Sequence, residues 1–166
     1  MSTRLFIATD LGLLRAYREF KRRKDREPHL ELISEIEPRA AHEKLSDQVS
    51  DQAGRFPKHG AAGTVLGNLS AHERKNLDAE IKRRLVKRLA GEINELLDDE
   101  QVEECRLAVS APIHRKLLDE LNGPARRKIR QVIASDLARA DPQELQHRFA
   151  SAAARSGEDG DESPAN

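Results

Sequence analysis

The most constraining feature of this sequence is residues 70–98, where apolar side chains recur at steps of three and four. Such spacing places them on one side of an α-helix. They are Leu77, Ile81, Leu85, Val86, Leu89, Ile93, Leu96 and Leu97. Ser70 and Glu73 stand at the spacing of a capping box, which predicts where this helix begins. Because the helix cannot bury its own apolar side, other elements of the chain must cover it.

The segments before this helix predict three antiparallel strands. Residues 4–9 (RLFIAT) form a short apolar run, and residues 10–12 (DLG) have the composition of a turn. Residues 13–20 then alternate in polarity, which is typical of the second strand of a hairpin. A third segment, residues 30–36, alternates more loosely and ends before a proline. Short connections between neighbouring strands favour an antiparallel meander.

The segments after the helix predict an alternation of strands and helices. Residues 105–110 (CRLAVS) hold consecutive apolar residues, as in a strand covered on both faces. Residues 112–121 predict a helix that Gly123 stops, and residues 128–134 predict a final strand. A helix over residues 141–153 opens with Asp-Pro. Strand, helix and strand in succession imply a parallel pair.

We therefore expect a single α/β domain over residues 1–155, with a mixed sheet of about five strands and packed helices. Residues 40–69 show no period and contain four glycines, so they predict a long polar loop inside this domain. Residues 156–166 are acidic and almost free of apolar residues, which predicts a disordered tail.

The charge balance gives no general argument for a nucleic-acid or membrane partner, because Lys plus Arg and Asp plus Glu both number 29. Cys105 is the single cysteine, so an intramolecular disulfide and a cysteine-rich metal site are excluded. No window holds the roughly 20 apolar residues that span a bilayer, and no export signal is evident at the start. We expect a cytoplasmic protein without a membrane partner.

Four segments, taken in order, resemble a bacterial family described as proteins required for attachment to host cells. They are residues 5–19 (LFIATDLGLLRAYRE), 46–56 (SDQVSDQAGRF), 107–121 (LAVSAPIHRKLLDEL) and 132–149 (VIASDLARADPQELQHRF). The family description records a phenotype rather than a chemistry. The resemblance covers most of the chain and implies a role connected with attachment.

That family is similar in architecture to the central domain of archaeal and eukaryotic class-1 peptide release factors and of Pelota. In the release factors, a loop ending in Gly-Gly-Gln precedes a long basic helix. Residues 58–64 (KHGAAGT) take the corresponding place here, with Gly60 and Gly63 as counterparts of the glycines. Thr64 stands where the glutamine would be, so the resemblance extends to the scaffold and not to peptidyl-tRNA hydrolysis by the known route.

The leading expectation is a non-enzymatic binding or adaptor protein that contacts the ribosome or structured RNA. Basic side chains bind phosphates by releasing counterions, without sequence preference. We expect the contacts to come from the loop and from the face of the long helix opposite its apolar side. The candidate binding residues are Arg55, Lys58, His59, Gly60, Gly63, Thr64, Lys75, Arg83, Lys87 and Arg88. Against this, Glu80 stands at pairing distance from Arg83 or Arg84.

Two other readings remain open. One is a hydrolase acting on an ester such as peptidyl-tRNA, with His59 or Thr64 at the reacting bond. The other is a protein-interaction module for attachment, which the family description suggests. We expect no cofactor and no metal, because the histidines lack a compact ligand spacing.

The ends of the predicted parallel strands hold two weaker candidate sites. Asp10 and Asp136 follow the first and last strands, and two carboxylates that meet can hold a divalent cation. Asp10 also suits a turn beside Gly12, and Asp136 suits the start of the segment that leads into the final helix. Residues 110–112 join a strand to a helix, where free N–H groups can accept an anion.

Overall fold

A computed structural model describes residues 3–38 and 70–158, which contain five strands and four helices. The strands are β1 (Thr3–Thr9), β2 (Leu14–Phe20), β3 (His29–Ile36), β4 (Val102–Val109) and β5 (Ile129–Ala134). The helices are α1 (Ala71–Asp98), α2 (His114–Glu120), α3 (Gly123–Lys128) and α4 (Pro142–Glu158). The elements follow the predicted alternation, with α3 as an additional short helix.

The five strands form one mixed sheet in the order β3-β2-β1-β4-β5. β1 pairs with β2, and β2 with β3, in antiparallel register. β1 pairs with β4, and β4 with β5, in parallel register. The predicted class, a mixed sheet of about five strands with packed helices, is therefore confirmed. The parallel half places the carboxyl ends of β1, β4 and β5 at the same edge.

Helices cover both faces of the sheet. On one face, alternate residues of β1 and β4, such as Leu5 and Leu107, pack with residues of α1, α2 and α3. On the other face, Phe6 and Ala108 pack with Phe149 of α4. The rings of Phe6 and Phe149 meet edge to face, with centroids 5.5 Å apart. Because β4 is covered on both sides, its apolar residues run consecutively, as the sequence predicted.

The start of α1 is confirmed by a complete capping box. The Ser70 hydroxyl accepts a hydrogen bond from the Glu73 backbone N–H at 3.2 Å, and the Glu73 carboxylate accepts one from the Ser70 N–H at 2.7 Å. The burial of α1 is less extensive than the sequence period indicates. Its first buried side chain is that of Leu85, whereas Leu77 and Ile81 are only half-buried.

Two predicted helix boundaries are wrong. The helix predicted from residue 112 begins only at His114, because residues 111–113 form a turn. In this turn the Ser110 carbonyl accepts hydrogen bonds from the N–H groups of Ile113 and His114. Gly123, expected to stop that helix, instead begins α3, because the Asn122 side chain caps α3 through the Ala125 N–H at 2.8 Å.

The final helix α4 begins as the sequence predicted. The Asp141 carboxylate accepts the Glu144 N–H at 2.8 Å, and Pro142 is the first helical residue. The helix continues to Glu158, past the predicted end at residue 153. The long loop predicted at residues 40–69 and the remainder of the predicted tail lie outside the described residues. Among the helices that the structure describes, none has the length and apolar character needed to cross a bilayer.

Candidate functional site

The first half of α1, residues 71–84, is named here the α1 arm. Every side chain of the arm is exposed or half-buried. At 1.5 Å per residue the arm is about 21 Å long. An isolated helix of this length is marginal in water, because most helical stability in proteins comes from packing. Local side-chain interactions must therefore stabilise the arm.

One such interaction is a double arginine contact to Glu80. The Glu80 carboxylate accepts hydrogen bonds from Arg83 and from Arg84, each at 2.9 Å. These hydrogen bonds lower the pKa of Glu80 to about 2. The sequence-based pairing of Glu80 with these arginines is confirmed. Arg83, a predicted binding residue, thus shares the one negative charge of Glu80 with Arg84.

The bases of the arm do not share one side of the helix. Lys75 and Lys82 precede the buried Leu89 by two heptads and one heptad, so they lie on the same side as that leucine. The sequence-based placement of Lys75 opposite the apolar side is therefore wrong. Lys75 and Lys82 are nevertheless exposed, since no described element covers this part of α1. Lys87 and Arg88 are exposed beyond the arm.

The arm carries a net positive charge of +2. Its acidic residues are Glu73, Asp78 and Glu80. Its basic residues are Arg74, Lys75, Lys82, Arg83 and Arg84. Lys75 and Lys82 lie two positions before Leu77 and one position after Ile81, so the lysines and this half-buried apolar pair lie on different sides of the arm.

Other basic residues near α1 have structural roles. The Lys128 ammonium donates to the carbonyl oxygens of Leu97 and Asp99, at 2.5 and 2.9 Å, and so satisfies acceptors at the carboxyl end of α1. The Arg126 side chain donates to the Leu121 carbonyl at 3.1 Å. Lys128 thus connects α3 to the end of α1, and Arg126 connects α3 to the end of α2.

Six of the predicted binding residues lie in the loop: Arg55, Lys58, His59, Gly60, Gly63 and Thr64. They fall outside the described residues, so their position relative to the arm stays a prediction. Lys75, Arg83, Lys87 and Arg88 all lie on α1 and are exposed.

A second candidate region lies at the carboxyl ends of the three parallel strands. A cavity of about 580 Å³ opens there, between the loops that follow β1, β4 and β5. Its polar lining residues are Asp10, Ser110, Ser135, Asp136 and Arg139. Ligands of open α/β sheets commonly bind in crevices at this edge. The structure therefore brings together the two weaker candidate sites that the sequence indicated separately.

Asp10 is occupied by its own turn. One carboxylate oxygen accepts the N–H groups of Gly12 and Leu13, each at 2.7 Å, and the other accepts a hydrogen bond from Arg139. The turn role expected for Asp10 is confirmed. Asp136 lines the same cavity but is exposed. Because both oxygens of Asp10 already accept N–H groups, the hypothesis of a cation held by the two aspartates gains no support.

The remaining candidates at this edge are also used by the fold. At the junction after β4, the Ile113 and His114 N–H groups both donate to the Ser110 carbonyl, each at 3.1 Å. These two N–H groups are therefore not free to bind an anion. Within residues 3–38 and 70–158, no three histidine, cysteine or acidic side chains group as metal ligands would. Burial raises the pKa of the Cys105 thiol well above its ordinary value, which keeps it protonated and unreactive.

Sequence reasoning missed two arginines that line cavities. Arg139 lines the carboxyl-edge cavity and bonds Asp10, and Arg106 lines a second cavity on the α4 face of the sheet. A signal for Arg106 was present, because it is the one charged residue of the run CRLAVS, which was expected to be covered on both faces. No comparable signal marked Arg139, whose partner lies 129 residues away in sequence.

Comparison with solved structures finds a similarity to an Aquifex aeolicus Ppx/GppA phosphatase, the type II variant. The identity is 14% and the TM-score is 0.37, and the match covers 80% of this chain. The chain spans 36% of the phosphatase chain. Similarity at this level says nothing about activity. The resemblance to release factors receives no support from this comparison.

Two comparisons concern the sequence itself. No protein with a curated description matches it. The family described as "Protein required for attachment to host cells" matches residues 5–149. The match includes all five strands but the first residues of β1, and it ends within α4. Because it extends over most of the chain, the protein belongs to this host-attachment family.

Proposed function

We propose that this member of the host-attachment family is a non-enzymatic binding protein that contacts structured RNA, such as that of the ribosome, in the cytoplasm. The observation that carries the proposal is the α1 arm, a capped helical segment without a buried side chain and with a net charge of +2. A helix that gains so little from packing and exposes so many cations is suited to a partner rather than to the core.

The charge of the arm favours a polyanionic partner. Lys75 and Lys82 lie on one side of the arm, and Arg84 lies on another, so bases are distributed around its circumference. Contacts of such bases with phosphates gain free energy from counterion release and need no particular base sequence. The carboxylate of Glu80 holds Arg83 and Arg84 in place until a phosphate competes for them.

The composition of the arm favours structured RNA over a single strand. Proteins that bind single strands without sequence preference stack bases on aromatic side chains. The arm contains no Phe, Tyr or Trp. Three of the four phenylalanines belong to β1, β2 and α4, away from the arm. Phosphates held in register by RNA secondary structure suit a rigid helix that presents charge alone.

Co-sedimentation with ribosomes tests the proposal. The test variant is Lys75→Glu with Lys82→Glu, which reverses two exposed charges on the arm. Both positions are exposed and glutamate has nearly the helix propensity of lysine, so the arm should stay helical. The matched control is Arg148→Glu with Arg155→Glu on α4, which covers the other face of the sheet and undergoes the same change in net charge.

We expect the wild type and the α4 variant to co-sediment in a salt-dependent manner. The arm variant should bind more weakly, and the slope of log K against log salt should fall by about 2, since each phosphate contact contributes about 0.9. Equal weakening by both variants would indicate unspecific charge attraction. Binding that persists after nuclease treatment would instead favour a protein-interaction module.

The hydrolase alternative rests on His59 and Thr64, which lie outside the described residues. No observation on the described residues favours it. A fluorescence-based assay of an acylated RNA, with His59→Ala as the comparison, would detect such activity directly.

A further inference from the structure

A second cavity, of about 620 Å³, lies on the α4 face of the sheet, between the β2–β3 connection and α4. Pro28 and Ala150 supply apolar surface, and the buried Phe6 ring lies beneath Arg106. Arg106 of β4 and Gln146 of α4 are among its polar lining residues. Its size and its mixture of apolar surface with a few polar groups are those of a small-molecule site. It is separate from the α1 arm, because α1 covers the opposite face.

The unusual member of this lining is Arg106. It lies on β4, one of the inner strands of the sheet, and its side chain is half-buried. Its guanidinium carbon lies 5.2 Å from the centroid of the Phe6 ring, so it makes a cation–π contact on the α4 face. Within the described part of the chain, no carboxylate pairs with Arg106 and none of its N–H groups donates a hydrogen bond to the protein.

The other arginines that project from the sheet strands β1 and β2 are paired. Arg4 bonds Glu19 and Glu104. Arg15 pairs with Glu35 at 2.6 Å, and Arg18 with Glu31 at 2.7 Å. A guanidinium has five N–H donors, and a half-buried one without an anionic partner is costly to the fold. Arg106 thus differs from the arginines of β1 and β2.

The carboxylates that line the cavity limit the charge of a ligand. Glu19 accepts a hydrogen bond from Arg4 at 2.6 Å, and it shares that arginine with Glu104. Glu27 is exposed at the rim. Arg106 is the one arginine or lysine of this lining, so it can match one negative charge on a ligand. A single carboxylate therefore fits better than a phosphate, whose second charge would face Glu27.

We propose that this cavity binds a small organic carboxylate. The carboxylate accepts two parallel hydrogen bonds from Arg106, in the fork geometry that guanidinium groups favour. The apolar body of the ligand packs against Pro28 and Ala150. The Gln146 side chain donates to the Pro28 carbonyl at 2.9 Å and so fixes the wall that the connection forms against α4.

Benzoate is a suitable probe, because it combines one carboxylate with a flat apolar ring. Titration of the ¹⁵N-labelled full chain, followed by amide chemical shifts, should show saturable changes on α4 and β4 with a Kd on the order of 1 mM. Benzamide has the same shape without the charge, and it should cause changes at least tenfold weaker.

Arg106→Gln should weaken benzoate binding at least tenfold. Arg139→Gln, which removes an arginine from the other cavity, should leave it unchanged. Ala150→Leu changes an exposed residue of α4 and leaves Arg106 in place, so it tests the site even if Arg106→Gln fails to fold. The larger leucine side chain should weaken benzoate binding severalfold. The proposal would be overturned if benzamide bound as tightly as benzoate, or if both Arg106→Gln and Ala150→Leu bound benzoate with the wild-type Kd. Chemical shift changes centred on Arg139 would also overturn it.

Discussion

The unequal burial along α1 leads to a sharp prediction for two leucines of the same helix. Leu89 is 0% exposed and belongs to the core between α1 and the sheet, whereas Leu77 is half-buried in the arm. Leu89→Ala removes buried methyl groups and leaves a cavity, which should lower the free energy of unfolding by about 2–5 kcal/mol. Leu77→Ala loses little burial and gains helix propensity, so its cost should be below about 1 kcal/mol.

Urea unfolding followed by circular dichroism measures both values. The midpoint should fall strongly for Leu89→Ala and only slightly for Leu77→Ala, with the slope m unchanged in each, because neither substitution alters the surface exposed on unfolding appreciably. Ile93→Ala serves as a second core substitution, since Ile93 is also 0% exposed. If Leu77→Ala destabilised the protein as much as Leu89→Ala, the arm would be packed against another part of the chain, and the reasoning from its exposure would be refuted.

Two further predictions concern carboxylates. The arm around Glu80 should lose helicity as pH falls from the ordinary Glu80 pKa of 4.5 towards about 2, because the folded-state pKa is depressed and its stabilisation is present only while the group is ionised. Cα chemical shifts of residues 78–84 report this loss, away from the Ser70 hydrogen bonds that lower the pKa of Glu73 at the helix start. An equal loss over these residues in Glu80→Gln would contradict the prediction. Asp10→Ala should lower the free energy of unfolding by about 1–3 kcal/mol, because it removes the acceptor of the Gly12 and Leu13 N–H groups, whereas Arg139→Gln should cost less. Urea unfolding of both variants checks this, and equal costs would place the stabilisation in the ion pair instead of the turn.

The parts of the fold that the sequence predicts are those set by local patterns. Alternation identified β2, the consecutive apolar run identified β4, and the Ser70–Glu73 and Asp141–Pro142 pairs identified two helix starts. The parallel pairing also followed, because a strand, a helix and a strand in succession restrict the connection. Each of these inferences depends on residues close together in sequence.

The misplaced features depend on distant residues. The apolar period of α1 runs through Leu77 and Ile81, yet burial begins only at Leu85, because the covering helices α2 and α3 are seven and six residues long. The Asn122 side chain caps α3, so Gly123 begins α3 and does not end α2. The sequence period describes what a helix could bury, and the extent of the neighbouring elements decides what it does bury.

The charges of the molecule divide into those that the fold uses and those that it leaves unmatched. Lys128 and Arg126 bond carbonyls, and Arg139 bonds Asp10. These hydrogen bonds and ion pairs account for the charged side chains of these residues, and no ligand is needed to explain them. Arg106 and the lysines of the arm receive no comparable explanation from the described residues. Since local rules in natural proteins are broken mainly at functional sites, these unmatched cations are the positions where a ligand or partner is to be sought first.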